Sequence, residues 1–88
     1  MGIEIKGNRI IVNEKHMDMN NITELCRVLL ELLNKRRKKI LIDLNQVESI
    51  STHGIQLLII ADEYFKDLRI ESVNPLIKND LKIMGISI

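Results

Sequence analysis

The stretch from Lys39 to Phe65, KILIDLNQVESISTHGIQLLIIADEYF, decides the fold. Ile40–Leu44 is short and apolar on both parities, which predicts a central strand covered on both faces. Asn45–Ile50 reads as a polar loop. Ser51 and Thr52 follow it, just ahead of Gly54, and 54–66 reads as a helix. That order sets Thr52 at or beside a helix N-terminus, where free backbone N–H groups and the helix dipole favour negative charge. A hydroxyl held there accepts a phosphoryl group without penalty to the fold, so the stretch points to a switch.

Upstream of it, Ile3–Lys6 and Arg9–Val12 flank Gly7-Asn8, a dipeptide suited to a tight hairpin turn. Ile3 and Ile5 alternate with Glu4 and Lys6, so the first strand is expected to have one wet face. Residues 13–20 form a polar connection. Asn21 with Glu24 makes a capping-box pattern, and Ile22, Leu25, Cys26, Val28, Leu29, Leu32 and Leu33 behind it fall on one helical arc. Downstream, Leu68–Val73 reads as a strand. Asn74-Pro75 has the cap and first-turn residues of a third helix, which Gly85 is placed to stop. The order is strand, strand, helix, strand, helix, strand, helix. It predicts an α/β fold with a mixed sheet of about four strands, partly parallel, joined by right-handed crossovers and carrying three helices.

Size and composition narrow the function classes. The 88 residues form one domain, 1–88. A chain of this size buries only about 60–65% of its unfolded surface. Apolar residues make up 45% of the chain but only Tyr64 and Phe65 are aromatic, so Ile, Leu and Val must build the core. A net charge of +1 gives no general pull toward nucleic acid or an anionic membrane. Lys35–Lys39 holds five of the thirteen basic residues. No aromatics interleave there for base stacking, so this run reads as helix C-terminal charge and a solvated loop rather than a nucleic-acid interface. No segment reaches the ~18 apolar residues of a membrane span. The first residues lack a signal-peptide pattern, and Cys26 has no disulfide partner. A cytoplasmic location is expected.

With the elements in order, the chain resembles the STAS domain family, the anti-sigma factor antagonists. That family carries an apolar strand ending in Asp-Leu, a loop, and Asp-Ser-Ser/Thr-Gly opening a helix. Here these are Ile40–Leu44, residues 45–50 and Ser51-Thr52-His53-Gly54. Met17-Asp18-Met19 is similar to the family's Leu-Asp-φ in an earlier loop, and Val73-Asn74-Pro75 through Met84-Gly85-Ile86 to its last part. The resemblance covers most of residues 8–86. Two tetrapeptide positions depart from the pattern, with Ser51 in the acidic place and His53 in the third. The domain expected is STAS-like, without the C-terminal strand and helix that many relatives have. The resemblance implies a protein that binds an anti-sigma factor, often a serine kinase. That kinase inactivates it by phosphorylating the position held here by Thr52, with Asp18 as the nearby loop aspartate.

The residues leave alternatives open. Ser51 competes with Thr52 as acceptor, and both are equally readable as a simple helix cap. In the second helix Leu57, Leu58, Ile60, Ala61, Tyr64 and Phe65 share one arc, while Ile55 and Ile59 lie outside it among Gln56, Asp62 and Lys66. An aliphatic i, i+4 pair on a polar side reads as a partner surface, so Asp18, Ser51, His53, Gly54, Ile55 and Ile59 form the expected partner-binding set. The competing reading makes Ile55 and Ile59 core. A non-phosphorylated scaffold docking through the same helix is the alternative function. Enzymatic chemistry has little support. Asp43 ends a strand as a phospho-accepting aspartate would, but more simply caps the following loop, because clustered acids and a partner lysine are missing. His16, His53 and Cys26 have no metal-ligand spacing. No catalytic residue, metal or cofactor is expected, and Cys26 reads as a buried packing residue.

Overall fold

The computed structural model describes residues 2–36 and 39–86. Strands β1 (Gly2–Lys6) and β2 (Arg9–Asn13) form the expected hairpin, antiparallel with Ile5 opposite Ile10. Gly7 turns it at φ 63°, a left-handed conformation that costs a residue without Cβ nothing. Strand β3 (His16–Met17) leads into helix α1 (Met19–Asn34), followed by β4 (Lys39–Leu44) and the two-residue strand β5 (Ser49–Ile50). Helix α2 (Thr52–Tyr64), strand β6 (Asp67–Val73) and helix α3 (Pro75–Ile83) complete the chain. The main sheet has the order β1-β2-β4-β6, with β2, β4 and β6 mutually parallel, and β3 pairs with β5 in a separate parallel ladder. The chain is therefore an α/β protein with a mixed four-stranded sheet and three helices.

The crossovers β2–α1–β4 and β4–α2–β6 both step in the same direction across the sheet. Connections of one hand then lay both helices on one face, and α1 packs against α2 there. Ile10 and Val12 of β2 and Ile40, Ile42 and Leu44 of β4 are fully buried under them. The alternate residues Ile11, Leu41 and Asp43 are only half-buried. The expectation that 40–44 is covered on both faces is thus corrected: only the even positions are sealed. The outer face is polar at its margins, where Arg9 and Glu71 form an ion pair of 2.8 Å from the strands on either side of β4.

Helix termini follow local chemistry, with one correction. Asp18, not Asn21, caps α1: its Oδ1 accepts the Asn21 N–H at 3.1 Å. The β3 ladder carries the chain directly to Asp18, so the helix starts earlier than the capping-box pattern implied. Asn21 instead donates through Nδ2 to the His16 carbonyl, and Glu24 accepts the Ile3 N–H at 3.2 Å. Asn74 caps α3 by accepting the Leu76 N–H, with Pro75 behind it as expected. At its far end the Gly85 N–H reaches the Lys82 carbonyl and the Ile86 N–H the Leu81 carbonyl, both at 3.0 Å. Gly85 at φ 88° makes this double closure possible. Asp43 Oδ1 accepts the Asn45 N–H at 2.9 Å, closing the turn after β4. Arg37 and Lys38, within the basic run 35–39, lie outside the described residues.

Candidate functional site

The β3–β5 ladder organises the candidate site. His16 pairs with Ser49 and Met17 with Ile50 in register, and His16 Nδ1 is hydrogen-bonded to Ser49 Oγ at 2.6 Å. The Ser51 N–H extends the ladder to the Met17 carbonyl at 3.4 Å. The next residue on each strand, Asp18 on one and Ser51 on the other, is the N-cap of a helix. Two helices therefore start side by side at one end of the molecule, and their uncapped N–H groups share a surface.

Within that surface the two hydroxyls differ. Ser51 is half-buried and its Oγ accepts the Gly54 N–H at 3.3 Å, so its side chain is engaged as the cap. Thr52 is the first residue of α2 and is exposed. The helix thus begins at Thr52 rather than at Gly54 and ends at Tyr64 rather than Lys66. Asp18 and His53 are exposed nearby, His53 in the first turn of α2.

Gly54 is not a contact for a partner. It is buried, and a Cβ built on it would come within 2.8 Å of Ile50 Cγ1 and 3.4 Å of Ile22 Cδ1. Glycine stands there because α2 must approach β5 and α1 closely.

The expected docking pair is also corrected. Ile55 is 5% exposed and belongs to the core, and Ile59 is half-buried against it. Ile60 and Tyr64, assigned to the buried arc, are 49% and 66% exposed. The reason is that α2 is covered from several directions, with α1 packed along one flank. Leu58 meets Leu68 and Ile70 of the sheet, Phe65 lies beside Leu29 and Leu33 of α1, and α3 and the residues after it lie against the Ile55 and Ile59 side. Thr52 and Ile55 share a cavity of 240 Å³ with Asp80, Ile83 and Met84, and Ile59 shares another with Met84 and Ile86. A single-arc projection assumes one covering surface, and this helix meets α1, the sheet and the α3 end.

Residues that the sequence reading passed over complete the surface beside Thr52. Asp80 and Met84 of the α3 end are exposed, and Ile83 is 74% exposed. A signal for Ile83 was present: Ile77 and Leu81 form the buried i, i+4 pair of α3, which leaves Ile83 off its core stripe. Cys26 is half-buried in a groove between α1 and α2 rather than sealed in the core. Among the described residues, no group of three or more His, Cys, Asp or Glu side chains is arranged to hold a metal ion, and no helix is long and apolar enough to cross a membrane. The chain matches no protein-family model, no curated protein and no solved structure.

Proposed function

We propose that the chain is a regulatory protein-binding module of the anti-sigma factor antagonist kind, acting in the cytoplasm. It binds an anti-sigma factor of the serine-kinase type and is released when that kinase phosphorylates Thr52. The chain is then a substrate and not a catalyst. The observation that carries this reading is the exposed Thr52 on the first turn of α2, beside the Asp18 cap and the exposed Ile83 and Met84.

The physics favours a switch at this position. A phosphothreonine adds about −1.5 to −2 charges and three acceptor oxygens. At the N-terminus of α2 those charges meet unsatisfied N–H groups, so the isolated fold tolerates them. Against a docked partner the same dianion must lose its water. Desolvating an unpaired charge is costly, so the complex is weakened and the free chain is not. Ser51 is the poorer acceptor, because its half-buried Oγ is engaged with the Gly54 N–H while Thr52 is exposed.

Intact-mass measurement tests the reading. Native chain used as bait should retain a kinase-type anti-sigma factor from a lysate of its source cells. Adding ATP to that pair should raise the mass of the chain by one phosphoryl group in native and Ser51→Ala protein but not in Thr52→Ala. Thr52→Glu should retain the factor at least tenfold less well, about 1.4 kcal/mol. Capture unaffected by Thr52→Glu, with no mass gain, would favour the second reading, a non-phosphorylated scaffold docking through α2. The specific observation behind that alternative is Ser51 standing where the family pattern is acidic, together with the exposed Ile60 and Tyr64.

A further inference from the structure

A net charge of +1 hides a lopsided molecule. At the N-terminal edge of the parallel strands three connections meet: the β1–β2 turn, the link from α1 to β4 and the link from α2 to β6. They and their flanks expose Lys6, Lys35, Arg36, Lys39 and Lys66, none of which has an ion-pair partner among the described residues. Arg9, Arg27 and Arg69 nearby are already paired with Glu71, Glu31 and Asp67. Among the described residues, Asp62 and Glu63 are the acids left unpaired at this end, and Asp62 lines a cavity on the flank toward Met84 and Gly85.

Arg36 adds a second observation. It is the one described non-glycine residue at positive φ, 57°, and α1 closes through its N–H, which donates to the Leu33 carbonyl at 3.0 Å. Glycine or asparagine is the usual choice for that left-handed position, because a Cβ is disfavoured there. Arginine stands at it against the local preference, and backbone strain of this kind collects at functional positions.

Beside these cations, Leu30, Ile60 and Tyr64 are 49–66% exposed and border one cavity with Leu33 and Phe65. Lys35 follows Leu33 by two residues and Lys66 follows Phe65 directly, so the apolar ridge runs into the basic end. At 1.5 Å per residue, Leu30 and Ile60 lie about 6 Å from the helix ends at Asn34 and Tyr64. Apolar side chains of an interfacial anchor sink roughly 5–10 Å among lipid headgroups. We propose that this end of the molecule docks peripherally on an anionic lipid surface, with the five cations against the headgroups and Leu30, Ile60 and Tyr64 entering the interface.

The side-chain chemistry favours lipid over other polyanions. Four of the five cations are lysines, point charges on flexible stems, whereas fixed bidentate recognition of a carboxylate or phosphate selects arginine. A fluid layer of single charges asks for no fixed geometry. Single-stranded nucleic acid would ask for stacking aromatics, and exposed leucine and isoleucine gain nothing from a phosphate backbone. Aliphatics next to lysines suit the boundary between headgroups and acyl chains. Thr52, at the opposite end of α2 and about 18 Å away, then points clear of the lipid, so this inference does not rest on its phosphorylation.

Tyr64 supplies the readout, as the only tyrosine of a chain without tryptophan. Vesicles of phosphatidylglycerol and phosphatidylcholine in equal parts should retain native chain on sedimentation and shield Tyr64 fluorescence from acrylamide. Phosphatidylcholine alone should do neither, and high salt should release the chain. Arg36→Gly should bind the anionic vesicles about fivefold more weakly and yet unfold at a higher temperature, since glycine takes this φ freely. Lys35→Glu combined with Lys39→Glu should weaken binding at least a hundredfold, by roughly the worth of four surface charges. Lys78→Glu, on α3 near the other end, should leave affinity unchanged, and circular dichroism should show every variant folded. Absent binding, equal binding to neutral vesicles, or binding unmoved by the Arg36 and Lys35/Lys39 variants would overturn the proposal. Tyr64 still open to acrylamide on bound chain would do so too, as would duplex DNA or polyglutamate held as tightly at the same salt.

Discussion

Ser51 and Thr52 are adjacent hydroxyls with opposite roles. The Ser51 Oγ holds the Gly54 N–H, while the Thr52 side chain is exposed on the first turn. Removing a capping oxygen costs about 1 kcal/mol, and a surface substitution stays within about 0.5 kcal/mol. Urea unfolding should therefore give Ser51→Ala a loss of about 1 kcal/mol and Thr52→Ala almost none. Equal losses would mean that Thr52 shares the cap, and the division of roles would fail. The tetrapeptide makes further sense one residue on. Gly54 is demanded by its distance from Ile50, a β-branched neighbour with little rotamer freedom to retreat. A close helix–strand approach explains that glycine without any partner.

At the scale of elements, legibility followed the strength of local signals. Gly7-Asn8 between alternating residues announced the β1–β2 hairpin, and Asn74-Pro75 announced α3, because turn and cap chemistry is written in single residues. The β3–β5 ladder was hidden. Two residues per strand leave no periodicity to read, and its pairing partners are 33 positions apart. That ladder is also what sets Asp18 beside Ser51, so the geometry of the candidate site was only half visible: its residues could be named, but not the device that joins them. The face of α2 was misread for a different reason. Its cover by α1 and the sheet, with the α3 end beside Ile55 and Ile59, is a tertiary fact that no projection of one helix contains. Ile55→Ala should consequently cost about 2–5 kcal/mol by opening a core cavity, whereas Ile83→Ala should change unfolding stability by less than about 0.5 kcal/mol. Thermal or urea unfolding checks the contrast. A small effect at Ile55 would return that residue to the surface and restore the original docking ridge.

For the molecule as a whole, the core is aliphatic, with Phe65 as its one buried aromatic among the described residues. It is centred on β4, which has hydrogen-bonded neighbours on both sides. Hydrogen exchange should rank accordingly. Backbone amides of Ile40, Ile42 and Leu44 should open only with global unfolding, while the β3–β5 ladder and α3 exchange through smaller local openings. Protection in α3 equal to that in β4 would instead make the protein a single cooperative block. The outer margin of the sheet carries a different consequence. Between β4 and β6 the register slips, Ile42 facing Ile70 but Asp43 facing Ser72, so Glu71 is the extra residue on the edge strand. A stranger's extended backbone laid along Asp67–Val73 would match step over its first half and lose it at Glu71, beside the charge of Arg69. The β6 edge thus carries its own stop against strand-by-strand accretion and gives an added strand no continuous template.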